Sequence, residues 1–149
     1  MLTYMDIKKA INDKLKTKFA NIKIESNNIR EGIKRPSFFV QLDNIDTKKF
    51  MTVGRDRNLT VRIYYFPSDR YKNENELLKM KDGLETLFLY DGVLDVNTYL
   101  ADVDNVELDV VDNKGQDKVL HCYFCLRFYE NWNKTDEHEE EEMEDLYYS

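Results

Sequence analysis

The chain has 149 residues, 42% of them hydrophobic and 13% aromatic, with 10 Tyr and 8 Phe; this suits one domain and excludes a disordered chain. No apolar run is long enough to span a bilayer, and no apolar stretch with a small-residue cleavage site opens the sequence, so a soluble cytosolic domain is expected. The net charge of −7 lies wholly in residues 133–149, where eight acids face one lysine; residues 1–132 are balanced and have no global field to draw nucleic acid, which the acidic tail would repel.

The first segment predicts a helix. Thr3 and Asp6 form a capping-box pair, and Ile7, Ala10, Ile11, Leu15 and Phe19 recur as one apolar stripe. Lys8, Lys9, Asn12 and Lys16 lie opposite. That basic face suits solvent, and it also suits an acidic partner. Short strands are expected at 22–24, 37–45 and 50–53, with Gly54, Arg55, Asp56 and Arg57 as an exposed hairpin connection of mixed charge. Leu59, Val61, Ile63 and Tyr65 alternate with Thr60, Arg62, Tyr64 and Phe66, a strand with one clearly apolar face, and Pro67-Ser68-Asp69 ends it.

A second helix starts at Asn73, paired with Glu76 as an N-cap, and carries Leu77, Met80, Leu84, Leu87 and Phe88. Gly83 within it costs helix propensity, which points to close packing there, and Asp91-Gly92 stops it. The final third reads as β. Residues 106–112 alternate, Asn113-Lys114-Gly115 turns the chain, and 118–129 runs back with Leu120, Cys122, Phe124, Leu126 and Phe128 on one face. The expected fold class is α+β: two helices packed on a largely antiparallel or mixed sheet, ending in a C-terminal β-hairpin, with residues 1–132 as the domain and 133–149 as an acidic appendage.

The chemistry of an enzyme is missing from this pattern. His121-Cys122-x-x-Cys125 invites a zinc or thiol reading, but residues three apart in a strand point to opposite faces, so Cys122 and Cys125 cannot converge on one ion. His138 is the one other histidine. The five glycines never form a phosphate loop, and the acids of 102–112 lack the glycine and terminal glutamate of a calcium loop. No catalytic residue, cofactor, metal, nucleic acid or membrane is expected.

Aromatic residues are in surplus. Tyr64, Phe66, Tyr71, Tyr123, Tyr129 and Trp132 exceed what one core can hold beside its Leu, Ile and Val. With Arg62 and Arg127 nearby they match the composition of protein interfaces; a sheet covered by helices on both faces would also accommodate them.

Three stretches carry a family resemblance. They are Gly-Ile-Lys-Arg-Pro-Ser-Phe-Phe-Val-Gln-Leu-Asp-Asn at 32–44, Leu-Thr-Val-Arg-Ile-Tyr-Tyr-Phe-Pro at 59–67, and Phe128-Tyr129-Glu130. In order and spacing, residues 1–132 resemble the tail terminators of contractile, PBSX-like phage tails and phage-tail-like bacteriocins. The resemblance implies a structural protein, made in the cytoplasm of the producing bacterium and built into the tail particle. There it would form a ring, typically a hexamer, that caps the head-proximal end of the tail tube and stops its growth. Implied partners are other copies of the chain, the tube protein, and sheath or a collar or neck protein. Candidate contact residues are Arg55, Arg57, Arg62, Tyr64 and Phe66, with 59–66 as an edge strand, and Leu146, Tyr147 and Tyr148 as an apolar anchor after the acidic run. A head–tail connector or neck protein and a cytosolic tail-assembly chaperone are the alternative classes.

Overall fold

The computed structural model describes residues 2–25, 34–69, 71–113 and 117–131. Helix α1 (Tyr4–Lys18) begins at the expected capping box: the Thr3 hydroxyl accepts from the Asp6 N–H, and the Asp6 carboxylate accepts from the Thr3 N–H. The strands β1 (Lys23–Glu25), β2 (Ser37–Phe50) and β3 (Gly54–Phe66) follow, then α2 (Glu74–Leu84). A small hairpin, β4 (Val93–Val96) and β5 (Tyr99–Asp102), precedes the long pair β6 (Glu107–Asn113) and β7 (Asp117–Asn131). The main sheet has the order β1-β2-β3-β7-β6, with β1 parallel to β2 and the other pairs antiparallel. The fold is therefore α+β, and the predicted pairing of the last two strands is present.

Both helices lie on the same side of the sheet. Ile7, Ile11 and Leu15 of α1 and Leu77, Met80 and Leu84 of α2 are buried with Phe38, Val40, Val61, Ile63, Tyr65, Leu120, Cys122 and Phe124. Leu94, Val96, Ala101 and Val103 close the same core from the small hairpin. Gly83 is where α2 meets the chain leaving α1: a Cβ there would sit 3.0 Å from the Phe19 ring, which itself packs on Phe38.

Four expectations are corrected. β2 runs without a break to Phe50, and only residues 51–53 turn, with Met51 at φ 55°. Residues 54–57 are not a connection but the start of β3, paired with β7 from Gly54 opposite Asn131. Their charges suggested a loop because the buried ion pair that absorbs them comes from a distant strand. Residues 59–66 are not an edge, since β3 lies at the centre between β2 and β7. Asn73 stands at the N-cap of α2 without a side-chain cap bond, and the helix passes into a π-helical stretch, Glu85–Tyr90, before Gly92. Glu76 instead turns outward from the cap, accepting from the Tyr65 hydroxyl and from the Ser68 N–H and hydroxyl.

Candidate interaction face

Alternation sends every second residue of β2, β3, β7 and β6 away from the helices. Among the described residues no helix covers that outer face. The strand register sets Phe39 opposite Tyr64, Tyr64 opposite His121, and Arg62 opposite Tyr123. The rings form a continuous ladder. Phe39 and Tyr64 are 6.2 Å apart between centroids, Tyr64 and His121 4.8 Å at 10° between planes, and His121 and Tyr123 4.7 Å at 22°. Each of these residues is half-buried; Tyr64 and His121 have a ring on either side, while Phe39 and Tyr123 end the ladder.

Arg62 organises the polar side of the ladder. Its Nε donates to Asp43 Oδ2 at 3.0 Å, its Nη1 lies 3.4 Å from His121 Nε2, and the guanidinium sits 5.5 Å from the Tyr123 ring centroid. The Tyr123 hydroxyl donates to Glu107 at 2.8 Å. Burial, and then the Arg62 charge, push the His121 pKa below that of a free imidazole, with Asp109 opposing them. The ring is thus held neutral, which keeps it compatible with stacking between two tyrosines. Two concavities border the ladder. An apolar notch of about 220 Å³ is lined by Phe39, Gln41, Tyr64, Phe66, Val111 and Val119. A wider cleft of about 410 Å³ includes Thr60, Arg62, Asp104, Glu107 and Tyr123. Shallow, aromatic and centred on an arginine, this surface has the composition in which protein interfaces are enriched.

A family model described as phage tail terminator protein matches residues 6–141. The chain belongs to the phage tail terminator family. Among curated proteins no relative matches it. Membership makes this terminator a structural component of the phage tail, working in contact with other tail components. No helix among the described residues is long and apolar enough to cross a membrane, and no group of three or more His, Cys, Asp or Glu side chains there is placed to hold a metal.

The terminator's sequence-predicted contact residues divide into three groups. Arg62, Tyr64 and Phe66 come together on the outer face. Arg55 and Arg57 point to the helix side instead. Arg57 is 1% exposed, with its guanidinium 4.6 Å from the Tyr4 ring centroid, and it donates to the Leu2 carbonyl. Arg55 donates to Glu130 at 2.7 Å and to the same carbonyl at 2.9 Å. These two arginines clamp the start of α1 inside the subunit. Leu146, Tyr147 and Tyr148 lie outside the described residues, as does Trp132.

Phe39 and His121 are absent from the expected contact residues. Alternation alone sets His121 on the same face of the last strand as Tyr123, but its His-Cys-x-x-Cys spacing draws attention to metal binding, and Phe39 sits in a continuous β-prone run whose two faces a single sequence does not label. Register supplies the missing signal: both stand beside Tyr64 across the ladder. Cys122 is buried and Cys125 exposed, on opposite faces as strand geometry requires.

Proposed function

We propose that this terminator assembles into a closed ring, of six copies, on the head-proximal end of the tube of a contractile tail, and that the ring ends tube growth without performing any chemistry. The observation that carries this reading is the uncovered ladder of Phe39, Tyr64, His121 and Tyr123 around Arg62. A ring needs a heterologous contact, in which two different patches of each subunit meet around a closing rotation. The ladder supplies one patch. An unpaired strand edge is a suitable second, because β1 covers β2 only at residues 37–39. The tube protein would meet one side of such a ring, and sheath or a collar or neck protein the other. Assembly in the producing cell, in a phage or a headless bacteriocin, belongs to the same reading.

Native mass spectrometry with and without tail tubes, joined to electron microscopy of tube ends, tests it. A ring in solution or on one end of each tube is expected, and Tyr64→Glu should abolish it while leaving the fold intact. A monomer that never decorates tube ends overturns the reading. A protein that keeps tube subunits soluble and is absent from finished tails would be a chaperone instead.

A further inference from the structure

His121 is the member of the aromatic ladder whose charge changes near neutral pH. It stands on β7 with Tyr64 of β3 opposite it on one side and the exposed Asp109 of β6 opposite it on the other. Its ring stacks between Tyr64 and Tyr123, at 4.8 and 4.7 Å between centroids, and its Nε2 lies 3.4 Å from Arg62 Nη1. An arginine can only donate a hydrogen bond, so Nε2 must accept and Nδ1 must carry the single ring proton. The Arg62–His121 contact therefore exists only while the imidazole is neutral.

A proton on Nε2 removes that acceptor and sets two cations against each other. The tyrosine faces tolerate a charged ring. Arg62 does not, and it is held in place by Asp43, whose Oδ2 accepts from its Nε at 3.0 Å. The charges around the ring then decide where it goes. On the β3 side stands the Arg62 cation, backed by Asp43 of β2; on the β6 side stand Asp109, directly opposite, and Glu107, which accepts from the Tyr123 hydroxyl at 2.8 Å. Repulsion from one strand and attraction from the other act in the same direction. We propose that His121 is an acid-sensitive latch of the outer face: neutral, it bonds Arg62 and completes the ladder; protonated, it turns to Asp109, parts from Tyr64 and breaks the surface that a neighbouring copy meets. The effect on assembly rests on the ring reading, whereas the latch itself is a property of one subunit.

Burial and the Arg62 charge hold the His121 pKa below that of a free imidazole, against the pull of Asp109. The stabilisation from the latched form is therefore fully present above the unfolded value and is lost as pH falls through the folded one. Binding that needs the neutral ring weakens as the competent fraction shrinks. Apparent affinity should thus fall about tenfold for each pH unit well below the midpoint.

NMR of the full-length protein, isotope-labelled at histidine Cε1 and followed from about pH 8 to about pH 5, tests the latch. The chain has two histidines, and His138→Gln identifies the signal of His121. His121 should titrate below a free imidazole, with Arg62→Met raising its midpoint and Asp109→Asn lowering it. A midpoint that neither substitution moves overturns the latch, whatever the oligomeric state. Sedimentation velocity over the same range reads the coupling to assembly. The wild-type assembly should come apart with the His121 midpoint, while His121→Phe, which stacks but takes no proton, should stay assembled, with circular dichroism confirming its fold. Wild type and His121→Phe behaving alike across the range overturns the coupling. A protein monomeric at every pH overturns the ring reading, and the NMR titration then decides the latch by itself.

Discussion

Replacing Glu130 by alanine tests whether the start of α1 is held by a buried charge cluster. Glu130 is 2% exposed at the end of β7. Its Oε2 accepts from the Leu2 N–H at 2.8 Å, and its Oε1 accepts from Arg55 at 2.7 Å and lies 3.4 Å from Arg57 Nη2. Glu130→Ala leaves the Arg57 cation buried with only the Leu2 carbonyl and the Tyr4 ring, and it orphans the Leu2 amide. Breaking a buried pair on one side costs about 3–5 kcal/mol, a large share of a domain's 5–15 kcal/mol. At about 2–4 °C per kcal/mol for a chain of this size, Tm should fall by roughly 10 °C. Amide exchange in the first turn of α1 should rise more than elsewhere. Arg57 already has Nε and Nη1 buried without hydrogen-bond partners. Removing the two deeply buried charges with Arg57→Met/Glu130→Leu should therefore recover part of the loss, although Arg55, 19% exposed, still loses its carboxylate partner and the Leu2 amide stays unpaired. Urea melts of wild type, single and double variants decide the matter. A single variant within about 1 kcal/mol of wild type, or a double as unstable as the single, refutes the argument.

Three further outcomes are expected. In the native protein one thiol, Cys125, should react with a disulfide reagent, because burial, with the nearby Glu85 charge, pushes the Cys122 pKa up to about 12; both should react in urea. Gly83→Ala should lose the usual helix gain of about 1 kcal/mol and destabilise instead, since its Cβ meets Phe19 at 3.0 Å, and Phe19→Leu should relieve the clash in denaturant melts. At Glu76, burial opposes the charge but hydrogen bonds from Tyr65 and Ser68 outweigh it and hold the carboxyl below its usual pKa. Its stabilisation is therefore present above the unfolded value and lost as pH falls through the folded one, so Glu76→Gln should destabilise at pH 7 and match wild type once the carboxylate is protonated.

What could be read in advance followed the reach of each signal. Period and caps are local, so Thr3-Asp6, the α1 stripe and the β6–β7 pair were legible from neighbouring residues. The small hairpin β4–β5 went unseen because Asn97 and Thr98 turn the chain at φ 51° and 74° without a glycine between them. Arg57 was misplaced for a different reason. A charged residue in a polar-looking stretch is buried only when a partner arrives from far along the chain, here Glu130, and no local pattern announces it. The outer face was half legible: surplus aromatics predicted that such a surface exists, while its membership depended on which strands are neighbours.

The register shift within β2 has a consequence for keeping the protein soluble. Between Asp43 and Asp46 the register with β3 shifts, and Asn44 adopts φ 49°. Beyond that kink the strand's outer margin carries Asp46, Lys48 and Lys49, all exposed. A long straight margin of unpaired amides would template endless side-by-side addition of further chains, as in fibrils. A bend followed by alternating charge interrupts such a template after a few residues. A structural protein of the phage tail, whose task is to join other subunits, thus carries in one short stretch of backbone a barrier to joining its own kind without limit.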